Sequence, residues 1–196
     1  YEYYDNFRLR SVNGPRKPVD NIDDITLYEW DSYGNLAAVT NALGHRTTFK
    51  EITGGDMVNV AGDLSVSTLS RVLEETLPNG TVRYEYYDLK GRQLRSTVGD
   101  RITTYIYNDQ DQIVEVIGPK VDSSGLVGKK IYTYDANGNV ERVTNEVGEA
   151  IKYSYDLMNN LKSILFVDAD GNVRRQMNQY YDGNSRLTVS EDGAGQ

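Results

Sequence analysis

Along much of this chain, large apolar or aromatic side chains alternate with polar ones. Tyr84-Glu85-Tyr86, Tyr105-Ile106-Tyr107, Tyr132-Thr133-Tyr134 and Ile151-Lys152-Tyr153-Ser154-Tyr155 all show it. A period of two predicts strands with one face buried, and tyrosine and threonine suit a pleated surface. Each run is followed by a short cluster of Asp, Asn and Gly, which predicts a turn. The Asp oxygen can accept a backbone N–H two residues on, and the Gly or Asn that follows tolerates a positive φ.

Past the turn comes an apolar pair three residues apart: Leu9 and Val12, Leu36 and Val39, Val140 and Val143, Leu161 and Ile164. In a regular strand that spacing puts the two on opposite faces. Either both faces are partly covered or a bulge resets the phase, and the spacing leaves both open. A second turn, as in Asn41-Ala42-Leu43-Gly44, Leu77-Pro78-Asn79-Gly80 and Asn145-Glu146-Val147-Gly148, then leads into the next alternating run.

This strand, turn, strand, turn unit recurs. An aromatic followed by Asp or Asn opens it at Tyr4-Asp5, Trp30-Asp31, Tyr87-Asp88, Tyr107-Asn108, Tyr134-Asp135, Tyr155-Asp156 and Tyr181-Asp182, with Gly34, Gly91 and Gly138 at the Gly position. The gap of 57 residues between Asp31 and Asp88 predicts a degenerate copy near Val66 and an insertion at about 51–62. Leu69, Val72, Leu73 and Leu77 also fit helical spacing, but aligning Ser70-Arg71 with Gly91-Arg92 favours a strand. The expectation is one repeat region over 1–196, with about eight units starting near 4, 30, 66, 87, 107, 134, 155 and 181. Its fold is all-β: serial antiparallel hairpins in a curved ribbon, reading as an excerpt of a longer chain.

These motifs resemble the YD-repeat, or Rhs-repeat, family, whose pattern is close to Tyr-Asp-x-x-Gly-Arg/Asn-Leu. The resemblance is weakest at 13–27, 51–66 and 118–128. It implies a wall of a β shell. In bacterial Rhs and insecticidal toxin-complex proteins such a shell encloses a toxic polypeptide, and in teneurins a similar barrel serves adhesion. The Asp-Pro-rich self-cleavage segment of the bacterial members has no counterpart here, since none of Pro15, Pro18, Pro78 and Pro119 follows an Asp.

Composition narrows the chemistry. There is no cysteine, hence no disulfide, thiolate metal site or cysteine nucleophile. A net charge of -8 with no basic run longer than two argues against nucleic acid, and no apolar stretch is long enough for a membrane-spanning helix. The recurring Asp residues fit turn chemistry rather than an acid–base pair. Asp168-Ala169-Asp170-Gly171-Asn172 departs from a calcium loop and reads as a hairpin turn. His45 is the single histidine and has no Gly-x-Ser-x-Gly elbow to serve. Asn79-Gly80-Thr81 is a formal glycosylation acceptor.

No catalytic, cofactor or metal residue is expected, and no cofactor. The leading reading is a non-enzymatic wall segment enclosing a polypeptide cargo in a secreted or surface bacterial protein. Its partners are the remaining repeats and that cargo, with no membrane insertion. The alternative is a cell-surface recognition module for a protein or glycan, which the tyrosine stripe would serve if exposed.

Overall fold

The computed structural model describes residues 1–14, 24–120 and 127–194; Pro15 and Pro18 lie outside them. The fold is all-β, with sixteen strands and only two short 3-10 helices among the described residues. The chain forms two compact units, Tyr1–Ile102 and Thr103–Gln196. The first holds β1 (Glu2–Tyr3), β2 (Leu9–Asn13), β3 (Ile25–Trp30), β4 (Leu36–Thr40), β5 (Arg46–Ile52), β6 (Leu69–Thr76), β7 (Val82–Asp88) and β8 (Gln93–Val98). The second holds the body of β9 (Arg101–Tyr107), then β10 (Ile113–Lys120), β11 (Val127–Tyr134), β12 (Val140–Asn145), β13 (Ala150–Tyr155), β14 (Leu161–Val167), β15 (Val173–Tyr181) and β16 (Leu187–Ala194). Within each unit every strand pairs antiparallel with its successor in sequence.

The register resolves the spacing of three. Trp30 faces Leu36 across the β3–β4 hairpin, yet Glu29 faces Ala38, so Ala37 is an extra residue and Tyr28 faces Val39. This one-residue bulge puts Leu36 and Val39 on one face with Trp30 and Tyr28. It recurs at Tyr107–Ile113, Tyr134–Val140, Tyr155–Leu161 and Tyr181–Leu187. Residues 69–76 are strand β6, and a shift between Leu69 and Arg71 brings Leu69 and Val72 to one face. The helix-like spacing there is again a bulge.

The long connection is differently placed from the expectation. Glu51 and Ile52 complete β5, and residues 53–68 join β5 to β6 with 3-10 turns at Gly54–Asn59 and Val66–Thr68. The insertion therefore stands where a unit's first turn would be, because Ile52 pairs with Val72 as an aromatic pairs with its Leu elsewhere. It folds over the sheet. Met57 and Ala61 join Ile52, Leu69, Val72 and Tyr86 in a buried cluster, flanked by Val60, Leu64, Val66, Tyr84 and Leu94. Tyr86 donates its hydroxyl to the Val60 carbonyl at 2.9 Å, and the Arg95 guanidinium grips the Asp63 carboxylate with both terminal nitrogens. Val72 is completely buried.

The second unit has no such cover among its described residues. Tyr105, Tyr107, Tyr132, Tyr134, Tyr153 and Tyr155 share one face and are half-buried, while the opposite face shows exposed Ile106, Ile131, Lys152 and Ser154. Side chains on a pleat alternate in this way whenever the aromatics lean on their cross-strand and next-hairpin neighbours.

Candidate functional site

One turn recurs throughout. In it the N–H of the first residue donates to the carbonyl of the fifth, and the N–H of the fourth donates back to the carbonyl of the first. Asp31, Asp88, Asn108, Asp135, Asp156 and Asp182 each open one, as do Asn41, Asn145 and Asp168 on the opposite edge of the hairpins. This is a type I turn followed by a left-handed residue, a three-residue hairpin loop. The fourth position carries the positive φ: 98° at Gly34, 81° at Gly91 and 87° at Gly138, but also 63° at Asp111 and Asn159 and 60° at Ser185.

The first residue's side chain clamps the loop. Asp31 Oδ1 accepts from the N–H groups of Tyr33, Gly34 and Asn35 at 2.7–2.9 Å, and Oδ2 accepts from the Asn35 amide at 3.2 Å. Asp135 and Asp156 are clamped alike by Asn139 and Asn160, and Asp182 by Arg186. Asp88 is buried, and Arg92 both donates its backbone N–H at 2.8 Å and places Nε at 2.7 Å from Oδ2. Asn108 reproduces the clamp without a charge, donating its own amide to Gln112. The Arg or Asn after the Gly in the repeat motif is thus the second jaw on the carboxylate.

These bonds hold the carboxylates ionised. The Asn35 backbone N–H holds Asp31 below the usual aspartate range, and the side chains of Asn139 and Asn160 do the same for Asp135 and Asp156. At Asp88 burial pushes upward, but the bonds from Arg92 outweigh it and the net direction is down. Each of these carboxylates is spent on its own loop, as turn chemistry requires. Among the described residues no group of acidic or histidine side chains is placed to hold a metal ion. His45 is exposed, with its backbone N–H on Asn41.

The first copy is shifted by one residue from the expectation. Tyr4, not Asp5, opens its turn, with Tyr3 paired to Leu9 and Phe7 at φ 62°. The motif needs five residues from turn opening to the paired Leu, and only Tyr4 stands at that distance from Leu9.

Neighbouring units are stitched together at these turns. The residue closing one turn reaches the left-handed residue of the next: Gln112 donates to the Gly138 carbonyl at 3.2 Å, Asn139 to Asn159 Oδ1 at 3.1 Å and Asn160 to Ser185 Oγ at 3.2 Å. In the first unit Arg8 reaches toward the Asp31 carbonyl and lies against Gly34, where a Cβ would meet its guanidinium. The strand-end aromatics add a second rail. Trp30 donates to the Leu9 carbonyl at 2.8 Å, Tyr134 to Ile113 at 2.6 Å and Tyr155 to Val140 at 3.0 Å, so each aromatic bonds the Leu position of the preceding unit. Burial pushes the phenols of Tyr134 and Tyr155 upward, which keeps them protonated donors. Tyr87 and Tyr181 instead donate within their strands, to Glu85 and Gln179.

The RHS repeat family model matches residues 134–173, where Asp135, Asn145, Asp156 and Asp168 open successive turns. Over those residues the chain matches an RHS repeat. Its fold is similar to that of TcdB2–TccC3 without its hypervariable C-terminal region, with a TM-score of 0.67 and 20% identity over 98% of this chain and 11% of that one. It is similar also to TcdB2–TccC3–Cdc42, with a TM-score of 0.65 and 20% identity over 89% and 9%. A third is the Tc holotoxin pore of Photorhabdus luminescens with a substituted TccC3, with a TM-score of 0.64 and 21% identity over 89% and 9%. The chain thus spans about a tenth of the length of these structures. No curated protein matches it. Among its described residues no helix is long and apolar enough to cross a membrane.

Proposed function

We propose that this chain is a wall segment of an Rhs-repeat shell, built from about eight units over 1–196, that encloses a polypeptide cargo in a secreted or surface bacterial protein. The observation that carries the reading is the stitching of successive turns, in which polar groups that elsewhere would make a site are spent on holding one unit to the next. A repeat whose modules contact their neighbours in sequence grows by addition and makes extended surface. The role is mechanical, and the enclosed polypeptide is kept apart from solvent and from early folding. The fold likeness to TcdB2–TccC3, a complex with a hypervariable C-terminal region, supports it.

The test uses the full-length natural protein. Intact mass should reveal a non-repeat piece that resists added protease under native conditions and is digested once the repeats are denatured. A piece digested equally fast in both states would overturn the reading. A specific observation favours a second one, surface recognition: Phe7 is 91% exposed, Tyr33 90% and Leu157 fully so, all at turn tips. Apolar tips aimed at solvent suit a partner protein or glycan. Loss of cell binding in Tyr33→Ala and Leu157→Ser, with the fold intact, would promote it.

A further inference from the structure

Two Asn-Gly pairs occupy the third and fourth positions of the recurrent turn, Asn79–Gly80 and Asn137–Gly138, and their surroundings differ. In the Asp135 turn, Asp135 Oδ1 accepts from the N–H groups of Asn137 and Asn139, both at 2.9 Å. The Asn137 amide donates to Asn159 Oδ1 of the next unit at 3.1 Å, and the Gly138 carbonyl accepts from Gln112 of the preceding one. Both reacting residues are pinned from outside the loop.

The other loop, Leu77 to Thr81, opens with a residue that has no side-chain acceptor, so its two backbone bonds lack the clamp on the first residue. Asn79 is exposed, and its Oδ1 accepts the Thr81 N–H at 3.0 Å, which folds the side chain back along the intervening Gly80 amide. A Cβ built on Gly80 would meet nothing within 4 Å, so the space around the peptide is open.

We propose that Asn79–Gly80 is a site of spontaneous succinimide chemistry, from which the stitching between units protects Asn137–Gly138. The Gly80 backbone nitrogen loses its proton and bonds to Asn79 Cγ, the Cγ–Nδ2 bond breaks, and ammonia leaves carrying that proton. Water then opens the ring at either carbonyl, giving aspartate or isoaspartate. No oxidant or cofactor enters. Asn is thermolabile for this reason, and the step needs the loop to open, which the clamp resists. Isoaspartate would lengthen the main chain by one methylene in a loop of fixed length.

The test is peptide mapping by mass spectrometry of the full-length natural protein aged in mildly alkaline buffer. Asn79 should gain the deamidation mass about tenfold or more faster than Asn137, the bonds of one clamp being the difference. In guanidinium chloride the two rates should converge. Asn159→Ala should speed Asn137, and Leu77→Asp should slow Asn79. Equal native rates, a ratio unchanged in denaturant, or two folded variants that leave both rates where they were would each overturn the proposal; if Leu77→Asp does not fold, Asn159→Ala decides.

Discussion

The β5–β8 region of the first unit and the β11–β16 hairpins of the second are made from the same repeat but are held in different ways. In the first, residues 53–68 cover a sheet face, and Ile52, Met57, Ala61, Leu69, Val72 and Tyr86 share a small conventional core. In the second, Ala150 and Val167 are the buried side chains among the described residues of those strands, and the turns and tyrosine hydroxyls bond one unit to the next. A repeat sheet can therefore be secured through its faces by apolar burial or through its edges by hydrogen bonds. The two regimes should fail to different substitutions.

The largest effect should come from Val72→Asp. An unpaired carboxylate at a fully buried position costs several kcal/mol, and hydrogen exchange should accelerate across β5–β8 while β11–β16 keep their protection. Uniform loss over both units would remove the distinction. Next is Asn108→Ala, which deprives two loop N–H groups of their acceptor without altering charge. We expect a loss of about 1–2 kcal/mol, read as a lower thermal midpoint and as faster exchange in β9–β10.

Acid should act through the turns in the same manner. Folding lowers the pKa of Asp31, Asp88, Asp135, Asp156, Asp168 and Asp182, so the folded chain binds fewer protons than the unfolded one. Their stabilisation is complete above the ordinary aspartate value of about 3.9 and is lost as the pH falls through the lower folded values. Replacing Asp156 by Asn keeps the Oδ1 acceptor and removes the titration, so the acid limb of a stability–pH curve should become shallower. An unchanged limb would mean that the clamp carboxylates do not govern it. The smallest effect is a gain. Phe7 holds φ 62° with its ring exposed, and Phe7→Gly should stabilise the first hairpin by about 1 kcal/mol in chemical denaturation.

The edge-held regime is the one that could be read from residue order. Alternation located the strands, and Asp-x-x-Gly located the turns, because both signals are local. What escaped was set by register or by contact between units. Tyr4 and Asp5 are equally plausible turn openers until Leu9 is known to pair with Tyr3. The choice between a bulge and two covered faces needed the pairing of Glu29 with Ala38. Asn41, Asn145 and Asp168 open the same clamp as the Tyr-Asp turns, a likeness hidden because no aromatic precedes them. The bonds from Asn139 to Asn159 and from Asn160 to Ser185 join residues about one unit apart, and no local pattern marks those pairs. The insertion's apolar residues Met57, Val60 and Leu64 could have been noticed as too many for a solvated loop.

The connection at 53–68 has a further meaning. Residues stand there in place of a five-residue loop, and Ile52 still meets Val72 in register. Loop-closure entropy grows slowly with length, and exposed hairpin tips are where added chain is best borne. Such a joint is a splice port: a segment whose two ends lie a hairpin's width apart can be grafted at a turn without re-indexing the strands on either side. For an engineer, the repeat is a rack with addressable slots, and the Asp156 turn, whose tip residues Leu157 and Met158 are exposed, is a slot still holding its short native loop.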